Sequence, residues 1–426
     1  MTTGSVAGDR ADIREGLDTR SIACLLVLGL FFIVPAGNAI VPLWSGLLPS
    51  LALAPVVVLL AGRPGRFAFA LTRRELPAFL ALTSLMLVAA ASALLVDPSA
   101  VTWTHWAGNY LSPVLLYSAV RAVEFDARMR RYAWTLLTLG ALVPLTSGLV
   151  AYYQEWGIPT GAELIVSRYA LERMAGYMKA TYGNTSNTAA LLAMLVPAWL
   201  AWLVASRPSS LPRWLALVAL VIAMGNVLVV QSRTLFIVLL LFVPLVLWVH
   251  RVRFTALVVV LLLTFGAVLL PALDARDELV EHTVGAVNGN GDDGSVSERM
   301  EAMQFSMGLL EDHPALGVGP GNSATLNPFT TAHQFWIHQG AEIGIAGLLL
   351  SVALSLAVLG RLVAAARRGR RSASNRDEFL NLVGPAAFML YGIIANMTLA
   401  MTVVNAWVGT FAMLMALATV QTSARG

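Results

Sequence analysis

Residues 76–96 read LPAFLALTSLMLVAAASALLV, a stretch of 21 residues without a charged side chain. An α-helix rises about 1.5 Å per residue, so this run is long enough to cross the roughly 30 Å hydrocarbon core of a bilayer. In lipid such a run forms a helix, because a helix satisfies all of its own backbone hydrogen bonds. The stretch therefore predicts a transmembrane helix.

The composition extends this prediction to the whole chain. Of its 426 residues, 58% are hydrophobic and only 12% are charged, about half of the roughly 25% usual in soluble domains. This excludes a water-soluble globular enzyme and predicts an all-α, polytopic integral membrane protein, with residues 1–426 as a single transmembrane domain. Further apolar runs bring the expected number of transmembrane helices to about twelve; they are 21–41, 45–62, 102–120, 133–153, 187–205, 214–231, 234–250, 254–271, 335–360, 380–399 and 402–421.

The positive charges indicate how these helices are oriented. When the connections are assigned to alternate sides, 22 of the 28 basic residues fall on the side of the two termini and six on the other. Short cytoplasmic loops collect arginine and lysine, so both termini are expected in the cytoplasm. No small-residue cleavage site follows the first apolar run, which is therefore expected to remain as a helix. The basic residues form no single clustered face, and no nucleic-acid partner is expected.

Two outer connections, 154–186 and 272–334, are too long to be simple turns, and long connections are usually functional or disordered. The second lies between the ninth and tenth predicted spans and contains an amphipathic helical pattern, with Ser295 and Glu298 as a possible capping box. Its expected apolar face comprises Met300, Met303, Met307 and Leu310.

The end of this second connection is the part of the chain richest in reactive side chains. His313-Pro314 is expected to stop the helix, and Gly317-Val-Gly-Pro-Gly321 to make a tight turn. His333-Gln334 then stands at the start of the tenth span, where histidine is the side chain most easily tuned to take a proton near neutral pH. Gly344 and Gly347 follow, and such small residues allow another helix or a lipid chain to approach closely.

These residues resemble the signature of the O-antigen ligase and O-antigen polymerase superfamily. The similarity comprises Arg299, the stretch from His313 to Asn322, and His333-Gln334 followed after nine residues by Gly344-Ile-Ala-Gly347. Gln231-Ser-Arg233, which opens the eighth span, resembles the outer-face arginine of the same family. The number of spans and the long outer connection extend the similarity across most of the chain.

The resemblance implies a GT-C-type glycosyltransferase whose active site faces the periplasm, in the inner (cytoplasmic) membrane of a Gram-negative bacterium. Residues 154–186 and 272–334 would then be periplasmic. The donor would be a glycan on undecaprenyl diphosphate, and the acceptor the lipid A-core oligosaccharide. Arginine suits the diphosphate, because its planar guanidinium donates two hydrogen bonds to phosphate oxygens. With arginines carrying this charge, no metal and no cofactor is expected.

Residue roles follow from the resemblance and from helical spacing. His333 matches the general base of an inverting transfer, while Arg233 and Arg299 match the diphosphate site. His338 is a rival base, because it lies four residues before Glu342 and would share a helix face with it. Glu342 would either orient His338 or have a separate structural or substrate-binding role. The expected substrate-binding residues are Arg168, Arg173, Lys179, Glu342, Gln334, Trp336 and Asn187.

Three other functions remain open at this point. An O-antigen polymerase uses the same donor but transfers the glycan to another lipid-linked repeat unit. A protein-targeted oligosaccharide transferase is a further relative, although no feature marks a groove for a protein acceptor. A transporter of anionic lipid-linked sugars would also have about twelve spans, but transporters place ionisable groups and broken helices near the midplane, whereas this sequence keeps its charges at the outer boundary.

Overall fold

The computed structural model describes residues 19–40, 71–123, 125, 127–153, 171–181, 185–207, 209–230, 232–252, 294–327, 334–372, 376–394 and 405–418. Within these ranges the chain is helical and contains no β-strand, as predicted. Two of the expected spans, 45–62 and 254–271, lie outside the described residues. Each of the other ten apolar runs overlaps at least one helix over its described residues.

The helices, numbered in chain order, have the following bounds: α1 Thr19–Ile40, α2 Leu76–Leu95, α3 Ala100–Trp106, α4 Ser112–Ala122, α5 Ala127–Tyr153, α6 Leu171–Ala180, α7 Thr185–Ala205, α8 Leu211–Val230, α9 Arg233–Val249, α10 Gly294–Asp312, α11 Asn322–Leu326, α12 Phe335–Arg371, α13 Arg376–Ile394 and α14 Asn405–Leu417. Five of them, α2, α5, α7, α8 and α12, are long and apolar enough to cross a membrane. Shorter apolar helices occur within α1, α9 and α14. The chain is thus a multi-pass membrane protein, and the number twelve stays a prediction.

Helix α7 forms the centre of the bundle. It packs against α8, α9 and α13, while α12 packs against α2 and α13. The residues from Ala189 to Leu195 are fully buried on every face of the helix. A transmembrane helix at the edge of a bundle would instead expose one face to lipid. Close packing of α7 against α13 is possible because Gly384 has no side chain; a Cβ there would lie 2.6 Å from the carbonyl oxygen of Met194.

The fourth apolar run, 102–120, is interrupted rather than a simple helix. A π-helical turn, Ala107–Leu111, joins α3 to α4. Ser99 caps the start of α3, because its hydroxyl oxygen accepts a hydrogen bond from the amide of Thr102. Turns of this type widen a helix locally and often occur at functional sites. This one carries the inward-facing Tyr110.

Helix α12 is broken at Ile343 and Gly344, which have non-helical backbone angles. The indole N–H of Trp336 donates to the hydroxyl oxygen of Ser355 over 3.1 Å, whereas these residues would be about 28 Å apart on a straight helix. Residues Phe335–Ile343 therefore fold back against the remainder of α12, and we call them the folded-back segment. The predicted run 335–360 is not one straight span, since only the part after Gly344 continues through the bundle.

The helix ends divide the molecule into two ends. At one, which we call the arginine end, Arg121 pairs with Glu75 and Arg368 pairs with Glu378. The other, which we call the glycine-turn end, holds Gly317–Gly321 and the break in α12. The part of α12 after the break would be about 40 Å long, so the two ends lie on opposite sides of a bilayer-thick bundle. Among the arginines predicted for the inner side, Arg130, Arg131 and Arg207 lie around one cavity with Asp377 at this end, and Arg251 donates to the backbone oxygen of Arg370.

Helix α10 corrects the predicted apolar face. It begins at Gly294, so Ser295 lies within the helix rather than before it. Met300 and Met307 are exposed, whereas Ala302 and Ser306 are fully buried. The small residues face inward because they let α10 approach its neighbours closely, as at Ala302, whose carbonyl oxygen accepts from the Asn327 amide over 3.1 Å.

Candidate functional site

The residues Gly317–Gly321, which we call the glycine turn, are held against the break in α12 by backbone hydrogen bonds. The amides of Val318 and Gly319 donate to the carbonyl oxygens of Ala341 and Glu342, each over 2.9 Å. These carbonyls end the folded-back segment and have no partner within it, as at any helix C-terminus. The turn therefore acts as a cap that fixes where the folded-back segment ends.

Glycine is required on both sides of this contact. Gly344 has a φ of +77° and ψ of −170°, a conformation that is essentially restricted to glycine. A Cβ at this position would lie 2.5 Å from the carbonyl oxygen of Ala315. Gly321 has a φ of +83°, and a Cβ on it would lie 2.5 Å from the ring of His105. The glycines singled out in the sequence thus make a sharp reversal and a close docking of two segments possible.

Glu342 is the centre of the buried polar cluster at this end. Its side chain is 1% exposed, and its Oε1 accepts the Gly321 amide at 2.8 Å and the Ser323 hydroxyl at 3.1 Å. The Tyr110 hydroxyl lies 3.3 Å from Oε2 and 3.0 Å from Oε1 of Gln339, and donates to one of them at a time. Because a buried carboxylate is costly unless donors surround it, these contacts fix the position of Glu342.

His338 pairs with this carboxylate, as its spacing predicts. Its Nε2 lies 3.2 Å from Oε1 of Glu342, and its Nδ1 lies 3.1 Å from the Ser323 hydroxyl oxygen. The imidazole is fully buried. In this structure it therefore has no surface open to a substrate, and it links the folded-back segment to α11.

A second polar cluster supports the glycine turn from α3. The Asp97 carboxylate accepts from the Thr102 hydroxyl at 2.6 Å and from the Asn322 side-chain amide at 2.8 Å, and the Ser99 hydroxyl lies 3.0 Å away. These hydrogen bonds, that from Thr102 foremost, lower the pKa of Asp97 from 3.8 to about 2. Asn322 also donates to the carbonyl oxygen of Val318, so it joins the carboxylate to the turn.

The predicted residues on the folded-back segment are engaged in its own structure. The side-chain oxygen of Gln334 accepts from the Ile337 amide over 2.8 Å and caps the start of α12. The Trp336 indole is half-buried and uses its N–H on Ser355. Asn187 does not belong to the folded-back segment; it is buried near the start of α7. His333, directly before Gln334 in the sequence, lies outside the described residues.

The predicted cations are only partly described. Lys179 is exposed near the end of α6. Helical backbone is described for Arg173 in α6, for Arg233 as the first residue of α9 and for Arg299 in α10. Arg168 lies outside the described residues. Among the described residues, no group of three or more His, Cys, Asp or Glu side chains is arranged to hold a metal ion.

The start of α9 and the start of α12 meet on the same part of α13. The hydroxyl oxygen of Ser232, the residue before Arg233, lies 3.4 Å from that of Tyr391. A Cβ on the adjacent Gly392 would lie 4.0 Å from the Cβ of Phe335. The residue before Arg233 and the segment that follows His333 thus contact neighbouring residues of α13, although Arg233 and His333 are a hundred positions apart in the sequence.

Sequence reasoning missed Tyr110, Ser323 and Gln339 as parts of the Glu342 cluster. A signal was present for Tyr110, because the fourth apolar run has several polar side chains that a simple span would not need. Ser323 and Gln339 gave none, since a serine after a glycine turn and a glutamine in a helix are both common without any such role.

Residues 218–352 match a protein family described as O-antigen ligase. The matched stretch contains Arg233, Arg299, the glycine turn and the folded-back segment. No curated protein matches the chain. The family match confirms the resemblance seen in the sequence, and it supports a membrane enzyme of the O-antigen ligase and polymerase family.

Proposed function

We propose that this chain is an O-antigen ligase, a GT-C-type enzyme that moves O-antigen glycan from undecaprenyl diphosphate to the lipid A-core oligosaccharide at the periplasmic face. The observation that carries this proposal is that the residue before Arg233 and the segment after His333 contact neighbouring residues of α13, Tyr391 and Gly392. The family match covers both elements. The reaction needs a base for the acceptor hydroxyl and a cation for the diphosphate, and a histidine and an arginine suit these two roles.

The proposed reaction is a single displacement. His333 takes the proton from the acceptor hydroxyl, whose oxygen attacks the anomeric carbon of the donor sugar. The bond between that carbon and the phosphate oxygen breaks, and undecaprenyl diphosphate leaves with the electron pair. Arg233 and Arg299 stabilise its charge, with Arg168, Arg173 and Lys179 as helpers. One displacement inverts the anomeric carbon, and no metal is needed when guanidinium groups carry the phosphate charge.

His333 is preferred to His338 as the base because of burial. The His338 imidazole is enclosed between Ser323 and Glu342, so proton transfer from a substrate hydroxyl would require the cluster to open. We assign His338 and Glu342 a positioning role, in which they hold the folded-back segment. His333 directly precedes that segment in the sequence, and its position depends on where the segment begins.

The remaining predicted contacts are proposed to bind the sugars. Trp336 lies three residues after His333, and its half-buried ring suits stacking on a sugar face. The side-chain oxygen of Gln334 caps α12, and its amide nitrogen is the proposed donor to a sugar hydroxyl. Asn187 is a further proposed contact, from α7.

Lipopolysaccharide from a deletion strain tests the assignment directly. Loss of a ligase leaves bare core on a gel, while long glycans remain on the carrier lipid. Core that carries a single repeat unit would instead identify an O-antigen polymerase, the alternative that the family match equally allows. Transfer by the purified protein should survive EDTA, and its abolition would disprove the metal-independent mechanism.

A transporter of lipid-linked sugars is less well supported. Broken helices in transporters lie near the bilayer midplane. The break in α12 lies beside Ser92, whose hydroxyl donates to the Glu342 backbone oxygen, and Ser92 is about 25 Å along α2 from Glu75 at the arginine end. The break is therefore closer to the far boundary of a roughly 30 Å hydrocarbon core than to its midplane. Glycan transfer by the purified protein in detergent, where no compartments exist, would exclude a purely translocating function.

A further inference from the structure

A cavity of about 530 Å³ lies at the arginine end, on the side of the bundle opposite the Glu342 cluster. It is enclosed by the start of α5, the end of α7, the start of α8 and the start of α13. None of these segments contributes to the glycine turn or to the folded-back segment. The cavity is therefore separate from the site proposed for glycan transfer.

Three arginines line the cavity: Arg130, Arg131 and Arg207. Arg130 is half-buried and the other two are exposed. Within the described part of the chain, none of the three forms a salt bridge, unlike Arg121 and Arg368 nearby. The one carboxylate in the lining, that of Asp377, offsets a single charge, so the cavity carries an excess of positive charge. An anion would stabilise this excess of guanidinium charge around one cavity.

The opposite wall of the cavity is aromatic and fixed. Trp134 and Trp202 lie with ring centroids 5.9 Å apart. The Trp134 indole N–H donates to the side-chain oxygen of Asn381 over 2.9 Å, and the Asn381 amide donates to the backbone oxygen of Asp377 over 2.8 Å. Because these side chains hold one another, the cavity exists without a ligand.

The juxtaposition of arginines with tryptophan faces specifies the chemistry of the ligand. Guanidinium groups bind phosphate oxygens with two hydrogen bonds each, while indole rings favour the boundary between headgroups and hydrocarbon. Basic pockets between transmembrane helices bind the headgroups of anionic lipids. The cavity lies at helix ends, which is the depth of such headgroups.

We propose that the cavity lined by Arg130, Arg131, Arg207, Trp134 and Trp202 binds a phosphate group. An anionic phospholipid and a free phosphate compound share this chemistry. In the orientation predicted from the charges, the site faces the cytoplasm, and the transfer site faces the opposite side. The bound phosphate would tie the start of α5 to the chain after α7, where Arg130, Arg131 and Arg207 otherwise repel one another.

Native mass spectrometry of the purified full-length protein with cardiolipin tests this site. The pocket variant carries Arg130→Gln, Arg131→Gln and Arg207→Gln, and a matched control carries Arg74→Gln, Arg367→Gln and Arg371→Gln, three exposed arginines at the same end but outside the cavity. We expect the pocket variant to weaken cardiolipin binding by about tenfold or more, and the control to change it by less than about twofold. Arg207→Gln alone, at an exposed position, should weaken it by about threefold.

Competition with inorganic pyrophosphate distinguishes the two sources of phosphate. Displacement of cardiolipin by millimolar pyrophosphate would support a site for free phosphate compounds, and resistance to it would support a lipid headgroup. Equal weakening in the pocket and control variants would overturn the proposal, as would unchanged binding in both. Binding of phosphatidylcholine with the same dependence on the three arginines would also overturn it, because that headgroup carries no net charge.

Discussion

The two ends of the bundle hold their buried carboxylates in different ways. At the arginine end, Glu75 is fully buried but lies 3.2 Å from the Arg121 guanidinium, and Glu378 is 13% exposed beside Arg368. At the glycine-turn end, the described donors to Glu342 are a backbone amide and hydroxyl groups, with the His338 imidazole beside it. A long arginine side chain can change its rotamer to reach a carboxylate, whereas a backbone amide reaches it only if the chain itself is placed correctly. Glu342 therefore marks the place where the fold is most tightly specified.

This difference suits a division of roles between the ends. Arginines at one end orient the chain and pair with nearby acids, so their exact geometry matters little. At the other, a few fixed donors define the ends of the folded-back segment, on which the proposed chemistry depends. Substitutions at the glycine-turn end should accordingly cost more than matched substitutions at the arginine end.

Glu342→Ala against Glu378→Ala is the strongest test of the comparison. Removing the Glu342 carboxylate leaves the buried Gly321 amide without its acceptor, takes one acceptor from the Ser323 hydroxyl and opens a cavity, so we expect a loss of about 4 kcal/mol in unfolding free energy. Glu378→Ala removes a half-buried ion pair and should cost about 1 kcal/mol. Thermal unfolding in detergent measures both.

Glu342→Gln should recover part of the stability lost in the alanine variant, because its amide oxygen still accepts the Gly321 amide. A Glu378→Ala variant as unstable as Glu342→Ala would contradict the difference between the ends.

Gly344→Ala should have the next largest effect. The alanine would have to adopt a backbone conformation restricted to glycine, and its Cβ would overlap the Ala315 carbonyl. We expect a cost of about 3 kcal/mol in unfolding free energy. Gly360→Ala is the matched control on the same helix, since nothing lies within 4 Å of a Cβ there. We expect it to leave the midpoint of thermal unfolding unchanged or to raise it slightly. Equal midpoints for the two variants would show that α12 does not fold back at Gly344.

Asp97 predicts a small pH effect on stability at the glycine-turn end. Its folded-state pKa of about 2 lies below the ordinary 3.8, so its contribution to stability is complete above about pH 4 and is lost as the pH falls towards 2. Asp97→Asn should therefore be less stable than wild type at pH 5, and the gap should narrow by pH 2.5. A gap that stays constant would mean that the hydrogen bonds from Thr102 and Asn322 do not depend on the charge.

Much of the helical framework could be predicted from the sequence, because long apolar runs have one structure in lipid. Leu76–Leu95 differs from its predicted bounds by a single residue. The glycine turn and Gly344 were recognisable as points of close approach. The fold-back of Phe335–Ile343 could not be predicted, because Gly344 permits a reversal of the chain without requiring one. The reversal is seen only in contacts between distant parts of α12, such as that of Trp336 with Ser355.

The polar clusters were hidden for a similar reason. Tyr110 and Glu342 are 232 positions apart and meet only when α12 packs beside the π-helical turn. The inward face of α10 was predicted from its methionines, but the buried residues are Ala302 and Ser306. Small residues allow helices to pack closely, so these residues and not the methionines mark the face of α10 that packs against its neighbours.

The most direct test of the proposed chemistry is the rate at which purified protein transfers glycan from undecaprenyl diphosphate to rough lipopolysaccharide. His333→Ala should lower the turnover number by about 100-fold or more, since a positioned base contributes at least that factor. The Arg74→Gln, Arg367→Gln, Arg371→Gln variant, altered only at the arginine end, should stay within about twofold of wild type. A His333→Ala protein that folds and keeps the wild-type turnover number would contradict the assignment of the general base to His333.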